Sequence, residues 1–309
     1  MLTIEQMVEA VVKRITTTTL GETALHPEKA AQLVRELEFS TPMLGATRRL
    51  DMKSDKRDID RIGFTGRLMN VAPAEGEPIV TESTPAFTSN ELSVVKAVGV
   101  VELSDESLED NIERENFEDT LIALIGSQAG IDLEELYLNG DVGSGDPYLA
   151  LTDGWNVLAN NQITGAANLD FTAADVESMF EAMLVEILTN ARQFMRRRQD
   201  MKFWVSWKAE NDYRELLRQR GTDLGDSVQT KAQPLAYKGI PVVPVFNMPI
   251  TDALMATDDN LVYGIRRDIR LEPERQARAG RTDFVVTFRT DAHYEDETGA
   301  VHATGYAGP

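Results

Sequence analysis

The sequence predicts an α+β chain of two lobes, with a charged excursion ahead of the first lobe. Three observations carry that prediction. A valine-rich strand (Val94, Val98, Val100, Val101 and Leu103) leads into the longest helical pattern of the chain, over 115–138. A second block, over 172–245, alternates amphipathic helices with short apolar strands. Between these signals and the N-terminus, 47–92 crowds both charge signs together with few apolar residues. At 309 residues the chain exceeds the roughly 100–200 of one domain. Its 42% hydrophobic content is enough for a core and excludes global disorder.

Charge and cysteine usage remove whole function classes. Fifty-one acidic against 31 basic residues give a net charge of −20, the opposite of the basic footprint that a sequence-reading DNA binder needs. With no cysteine there is no disulfide scaffold, thiolate metal site or thiol nucleophile. Glu5 and Glu9 interrupt the first residues where a leader would be apolar, and the weakly polar run Val94–Val101 contains Lys96 and is far too short to span a bilayer. The expectation is a soluble protein made in a cytosol.

Taken in order, Thr3 caps a short helix with Ile4, Met7, Val8 and Val11 on one face. Pro27 opens a second helix carrying Ala30, Ala31, Leu33, Val34 and Leu37, which Pro42 and Gly45 stop. The run Arg48-Arg49-Leu50-Asp51-Met52-Lys53-Ser54-Asp55-Lys56-Arg57-Asp58-Ile59-Asp60-Arg61-Ile62 starts a long hairpin. Its return strand reads as Pro78–Glu82, ended by Pro85. Such a ribbon has too few apolar residues to bury a face on its own domain, and a lone two-stranded ribbon is marginal in water. It is either a loose surface excursion or a ribbon that lies on another subunit. The helix over 115–138 places Phe117, Leu121, Leu124, Ile125, Gln128, Asp132 and Leu136 at helical spacing and ends at Gly140.

In the second block, Thr172 caps a helix through Asn190 whose face is Val176, Met179, Phe180, Met183, Leu184 and Ile187. Arg196-Arg197-Arg198 is the most basic stretch; a solvated helix end is favoured over a phosphate or subunit contact. Lys202–Trp207 reads as a buried strand and 210–219 as a helix. Tyr237–Val245 reads as a turn and a strand that its prolines confine to a sheet edge. Leu261–Leu271 and Asp283–Ala292 read as strands that rejoin the first lobe.

Reaction chemistry is hard to assemble. There is no phosphate loop and no nucleophile elbow, and Tyr148 stands where a dinucleotide loop starting at Gly143-Ser144-Gly145 needs a third glycine. Of the three histidines, His26, His293 and His302, the last two flank Glu295-Asp296-Glu297; a solvated turn at Thr298-Gly299 is favoured over a metal site. Asn139-Gly140-Asp141 with Asp146 lacks the ligand spacing of a calcium loop. No catalytic residue, metal or cofactor is expected.

The order of elements resembles the tailed-bacteriophage major capsid proteins of the Hong Kong 97 phage type. The resemblance rests on the helical start, the charged hairpin, the valine strand and the overlong helix closing in Leu136-Tyr137-Leu138-Asn139-Gly140-Asp141. It continues through Tyr237-Lys238-Gly239-Ile240-Pro241-Val242-Val243, Asn247-Met248-Pro249, the run from Asn260 to Ile269 and Phe288-Arg289-Thr290-Asp291-Ala292. It implies an N-terminal arm (1–46), an extended loop (47–92), a peripheral domain with its spine helix (93–142), an axial domain (143–258) and a return to the peripheral domain (259–309).

The implied function is structural: hexamers and pentamers of this chain form an icosahedral shell around a double-stranded DNA genome, assembled in the bacterial host cytoplasm. Packaged DNA would lie nearby without sequence-specific contact, and a separate scaffolding protein, a portal and a decoration protein are possible partners; no membrane is involved. Arg48, Arg49, Lys53, Lys56, Arg57, Asp58, Asp60 and Arg61 are the candidate intersubunit charges, with Arg266 and Arg267 as recipients of acids. About 46 residues precede the loop, where some members carry a removable scaffolding segment of about a hundred, so no proteolytic maturation is expected. Lys53 and Lys56 lie where other members crosslink, but 261–309 holds no asparagine to receive them, so no covalent crosslink is expected. The alternatives are an encapsulin-type nanocompartment shell and an acidic α/β enzyme using Asp141, Asp146, His293 and His302.

Overall fold

The computed structural model describes residues 41–64, 69, 84–104, 117–165, 176–219, 234–266 and 270–306. The two helices expected over 3–41, the return strand over 78–82, the cap region at 104–111, the loop at 221–230 and Arg267 fall wholly or mainly outside them. The described chain starts with a short helix, α1 (Pro42–Ala46). Pro42 therefore opens a helical turn instead of ending one, at the first-turn position where its missing N–H costs nothing.

Two sheets and one long helix organise the rest. The first sheet has β12 (Arg281–Tyr294) at its centre. Along one flank β12 pairs antiparallel with β4 (Val95–Ser104). Along the other it pairs with β11 (Arg270–Gln276) and then with β10 (Leu261–Arg266), which takes β1 (Arg48–Met52) in parallel. The second sheet runs β5 (Asn161–Thr164), β13 (Val301–Thr304), β9 (Ala253–Thr257), β6 (Met201–Ser206), β8 (Ile240–Val245) and β7 (Leu235–Tyr237). The stretch expected to rejoin the first lobe thus divides. Strands β10 and β12 do so, while Val301–Thr304 crosses to the second sheet.

Strands β6 and β9 read as nearly continuous apolar runs because both faces of their sheet are covered. On one face Phe203, Val205, Ala253 and Met255 meet α4 (Val176–Asn190) and α5 (Trp207–Gln219). All six residues expected on the α4 stripe are buried there. The opposite face presents Trp204, Leu254 and Ala256 to the core shared with the first sheet. Strand β8 is not an edge: β6 flanks it on one side and β7 on the other. Its prolines are tolerated because Pro244 lies past the end of the three-residue β7 and Pro241 lies ahead of the residues that pair with β6. The turn between them takes Lys238 and Gly239 at positive φ, as a tight hairpin requires.

The long helix α2 (Phe117–Asn139) lies in the shared core together with Trp155 of the short helix α3 (Trp155–Leu158). The buried apolar side chains among the described residues of α2 are Ile125, Leu133, Leu136, Tyr137 and Leu138, while Leu124 is 64% exposed and Gln128 turns outward to bond Asp132. The expected stripe is therefore rotated. Three consecutive buried residues at 136–138 show why: this end of the helix is enclosed on several sides, so a single-face period does not describe it. The Tyr137 hydroxyl pairs with Thr290, whose own hydroxyl donates to the Gly264 carbonyl at 2.9 Å, tying α2 to β10 and β12. Among the described residues no helix is long and apolar enough to cross a membrane.

Candidate assembly interface

A ribbon projects from the first sheet. It consists of β2 (Lys56–Phe64) and β3 (Pro85–Ser93), paired antiparallel from Lys56–Ser93 out to Phe64–Pro85. Pro85, expected to end the return strand, instead begins it, the one strand position where a proline forfeits no ladder bond that matters.

Register makes the ribbon two-faced, because residues directly opposite each other in an antiparallel pair share a side and alternate residues change sides. One face holds Arg57, Ile59 and Arg61 with Leu92, Asn90 and Thr88. It is turned toward its own chain. Ile59 and Leu92 are buried with Met52 and Val262, so the ribbon does bury a small face, contrary to expectation. The Arg57 guanidinium donates to the Asp51 carbonyl at 2.9 Å, and Asn90 donates to the Tyr294 carbonyl at 2.9 Å. Arg61 pairs with Asp296 and stands 5.2 Å over the Phe194 ring. The Ser93 amide donates to Asp291 at 2.6 Å, and Asp291 accepts Thr152 at 2.7 Å. Burial raises the Asp291 carboxyl above its ordinary range, against the pull of these donors.

The other face carries Lys56, Asp58, Asp60 and Ile62 with Ser93, Glu91, Ser89 and Phe87. Lys56 bonds Glu91 at 2.5 Å, which raises its pKa. Asp58 and Asp60 are exposed and form no ion pair among the described residues. At the outer end, Ile62 and Phe87 stand opposite each other, 67% and 72% exposed. This apolar pair thus faces solvent next to a row of carboxylates.

Most of the charges expected to reach a neighbour are engaged at home. Arg48 bonds Glu295 at 2.6 Å and Arg49 bonds Asp51 at 2.9 Å. Arg266 pairs with Asp55, which also lies 3.5 Å from Arg289, so its acid comes from its own chain. Lys53 is exposed in the turn between β1 and β2. Of the expected set, Lys53, Lys56, Asp58 and Asp60 face outward, Lys56 in its pair with Glu91, and Arg267 lies outside the described residues. A return strand over 78–82 does not show the apolar pair; with 85–93 as the partner, alternation alone places Phe87 beside Ile62.

The residues considered for catalysis do not converge. Asp141 accepts the Gly143 amide at 2.7 Å and Asp146 the Tyr148 amide at 2.9 Å, both local turns. His293 lies 3.8 Å from Glu297, and His302, on the other sheet, 3.4 Å from Asp252. Among the described residues no cluster of three His or carboxylate side chains could hold a metal. Arg197 in the 3-10 segment Arg192–Asp200 bonds Asp200 at 3.2 Å and Asp259 at 2.5 Å, so this arginine is part of the scaffold.

Two sheets sharing a core with one long helix, and a ribbon thrown out from the first, make up the fold of Hong Kong 97-type capsid chains. Solved structures carry that fold over nearly the whole length. A chain of the satellite phage P4 procapsid, solved with its size determination (Sid) protein, superposes with a TM-score of 0.70 at 13% identity, covering 98% of each chain. The capsid of the native GTA particle gives 0.61 at 14% identity over 94% of each, and Mycobacterium phage Adephagia gives 0.58 at 12% over 86% of this chain and 90% of the other. In sequence, the prophage capsid protein YqbE of Bacillus subtilis (strain 168), so named, is 26% identical over 287 residues, 88% of this chain and 89% of that one. No family model matches.

Proposed function

We propose that this chain is the major capsid protein of a tailed phage or prophage, a structural subunit that closes an icosahedral shell by self-association into hexamers and pentamers. The observation that carries the reading is near-complete coverage of capsid chains, ribbon included, at a TM-score of 0.70. A ribbon with one face packed on its own sheet and the other carrying Asp58, Asp60, Ile62 and Phe87 outward supports it, since among the described residues these four meet no packing partner on that side. The ribbon's outward face lies on a neighbouring copy. The role is non-catalytic, and the shell is the virion head. At −20 per chain the wall would repel the DNA it encloses rather than grip it.

Negative-stain electron microscopy of the full chain over a concentration series tests this. Closed shells or capsomer rings are expected, with nucleic acid inside particles recovered from infected or induced cells. A species that stays monomeric at every concentration, and whose behaviour is unchanged when 47–92 is deleted, would overturn it. Assembled particles boiled in SDS are expected to run at the monomer mass of 34.3 kDa, since 261–309 offers no asparagine to Lys53 or Lys56. A ladder of multimers would count against that.

A further inference from the structure

The segment Arg192–Asp200 is a basic island on an acidic chain. Four of its nine residues are arginine, and only Arg197 is ion-paired among the described residues. Arg192, Arg196 and Arg198 are exposed, while Phe194 and Met195 turn inward to hold the segment against the second sheet's core. Unpaired cations are conspicuous on a surface with 51 acids to draw on. The chain's own ribbon reaches this segment, but it does so with the wrong face: Arg61 sits over Phe194, so the ribbon presents a cation, and Asp58 and Asp60 point the opposite way. Among the described residues, those two carboxylates lie on the ribbon face turned away from these three guanidiniums.

We infer that Arg192, Arg196 and Arg198 are the docking site for a second copy, receiving Asp58 and Asp60 from its ribbon. This rests on the reading that the ribbon's outward face lies on a neighbouring copy, and it names the place. The dimensions agree. Two residues along a strand separate Asp58 from Asp60 by about 7 Å, and Arg192 to Arg196 span about 8 Å of 3-10 helix before the kink at Arg197. Both carboxylates can therefore be met at once. The contact is head-to-tail, one surface of each copy against a different surface of the next, which is the kind of interface that closes rings. Each pair is weak if exposed, but one such set recurs at every subunit boundary.

Charge exchange in the full chain tests the pairing. Arg192→Glu, Arg196→Glu and Arg198→Glu together, or Asp58→Arg and Asp60→Arg together, are each expected to raise the protein concentration needed for rings or shells by about tenfold or more, because like charges then face each other. Combining all five substitutions is expected to restore assembly to within about twofold of the original chain. Unchanged thermal melting of the unassembled variants shows that they fold. If aspartate reversal blocks assembly and arginine reversal does not, the ribbon still contacts a neighbour but this docking site is wrong. If neither has an effect, the ribbon reading fails with it. Two defective variants that the combination does not rescue also overturn the pairing. So does arginine reversal that leaves shells intact but lowers their DNA content, since the arginines then meet phosphates.

Discussion

Alanine at Gly154 is expected to abolish the fold of the unassembled chain or to leave it destabilised by more than about 3 kcal/mol. After α2 ends, the chain loops out through 141–153 and crosses back over the helix terminus. At the crossing the Gly154 amide donates to the Gly140 carbonyl at 2.8 Å, while the Gly140 amide closes the helix on Leu136 at 2.9 Å. A methyl group on Gly154 would stand 2.7 Å from both the Gly140 amide nitrogen and the Tyr137 carbonyl, and 2.9 Å from the Leu138 carbonyl carbon. All three are backbone atoms of a helix locked between two sheets, so none can step aside. The conformation of Gly154 itself (φ −91°, ψ 175°) is open to any residue, so space and not strain sets the cost. Gly264 provides the contrast. A methyl there meets the Met52 sulfur at 2.5 Å and Leu92 Cδ1 at 3.3 Å, flexible side-chain ends that can move. Gly264→Ala is therefore expected to cost far less than Gly154→Ala in denaturant unfolding. Equal losses, or a Gly154→Ala chain that melts like the original, would contradict this account. Trp155 follows the crossing directly, with its indole donating to the His293 carbonyl at 3.2 Å and its own carbonyl accepting the Tyr294 hydroxyl at 2.7 Å. Displacing Gly154 consequently loosens the first sheet's hold on the helix as well.

What could be read in the sequence follows from how many sides of each element are covered. Helix α4 lies on one face of one sheet, so a one-face period finds its six core residues without error. Helix α2 is enclosed near its C-terminal end, and there the same arithmetic selects Leu124, which faces solvent, and passes over Tyr137, which is fully buried. Strand existence was legible where β-branched residues run together, as over 95–104 and 281–294, but partner choice was not. Nothing local tells Val301–Thr304 to leave the sheet that holds β12 for the other one. In the ribbon, composition reveals the density of both charge signs. It does not reveal that the arginines turn inward and the aspartates outward, because that depends on a register fixed by the distant 85–93 strand. Glu134 was invisible for a similar reason: in sequence it is one more acid on a long helix.

Replacing Glu134 by glutamine is expected to stabilise the unassembled chain increasingly as pH rises. The carboxylate is 1% exposed and lies at a three-way junction. One oxygen accepts the Met43 amide of α1 at 3.3 Å, and the other accepts Asn247 at 3.4 Å, whose amide also donates to the Ile131 carbonyl at 2.7 Å. Neither 41–47 nor 245–250 contains a charged residue, and among the described residues no cation pairs with the buried charge. Burial pushes the pKa up from 4.5 to about 7, and the two hydrogen bonds only partly oppose it. Below pH 4.5 the group is protonated both folded and unfolded and its titration costs nothing. Between 4.5 and 7 the unfolded chain releases the proton while the folded chain retains it, so stability falls with rising pH and levels off above 7. A shift of that size corresponds to about 3 kcal/mol. Glutamine keeps the size of the side chain and an oxygen for Met43 but cannot ionise. The difference in unfolding free energy between Glu134→Gln and the original chain should therefore grow by about 2–3 kcal/mol from pH 4.5 to pH 8. Comparing the two proteins at each pH cancels every other titrating group. A difference that stays flat over that range would mean that Glu134 is not buried as a charge, and that α1 is held to the helix by packing alone.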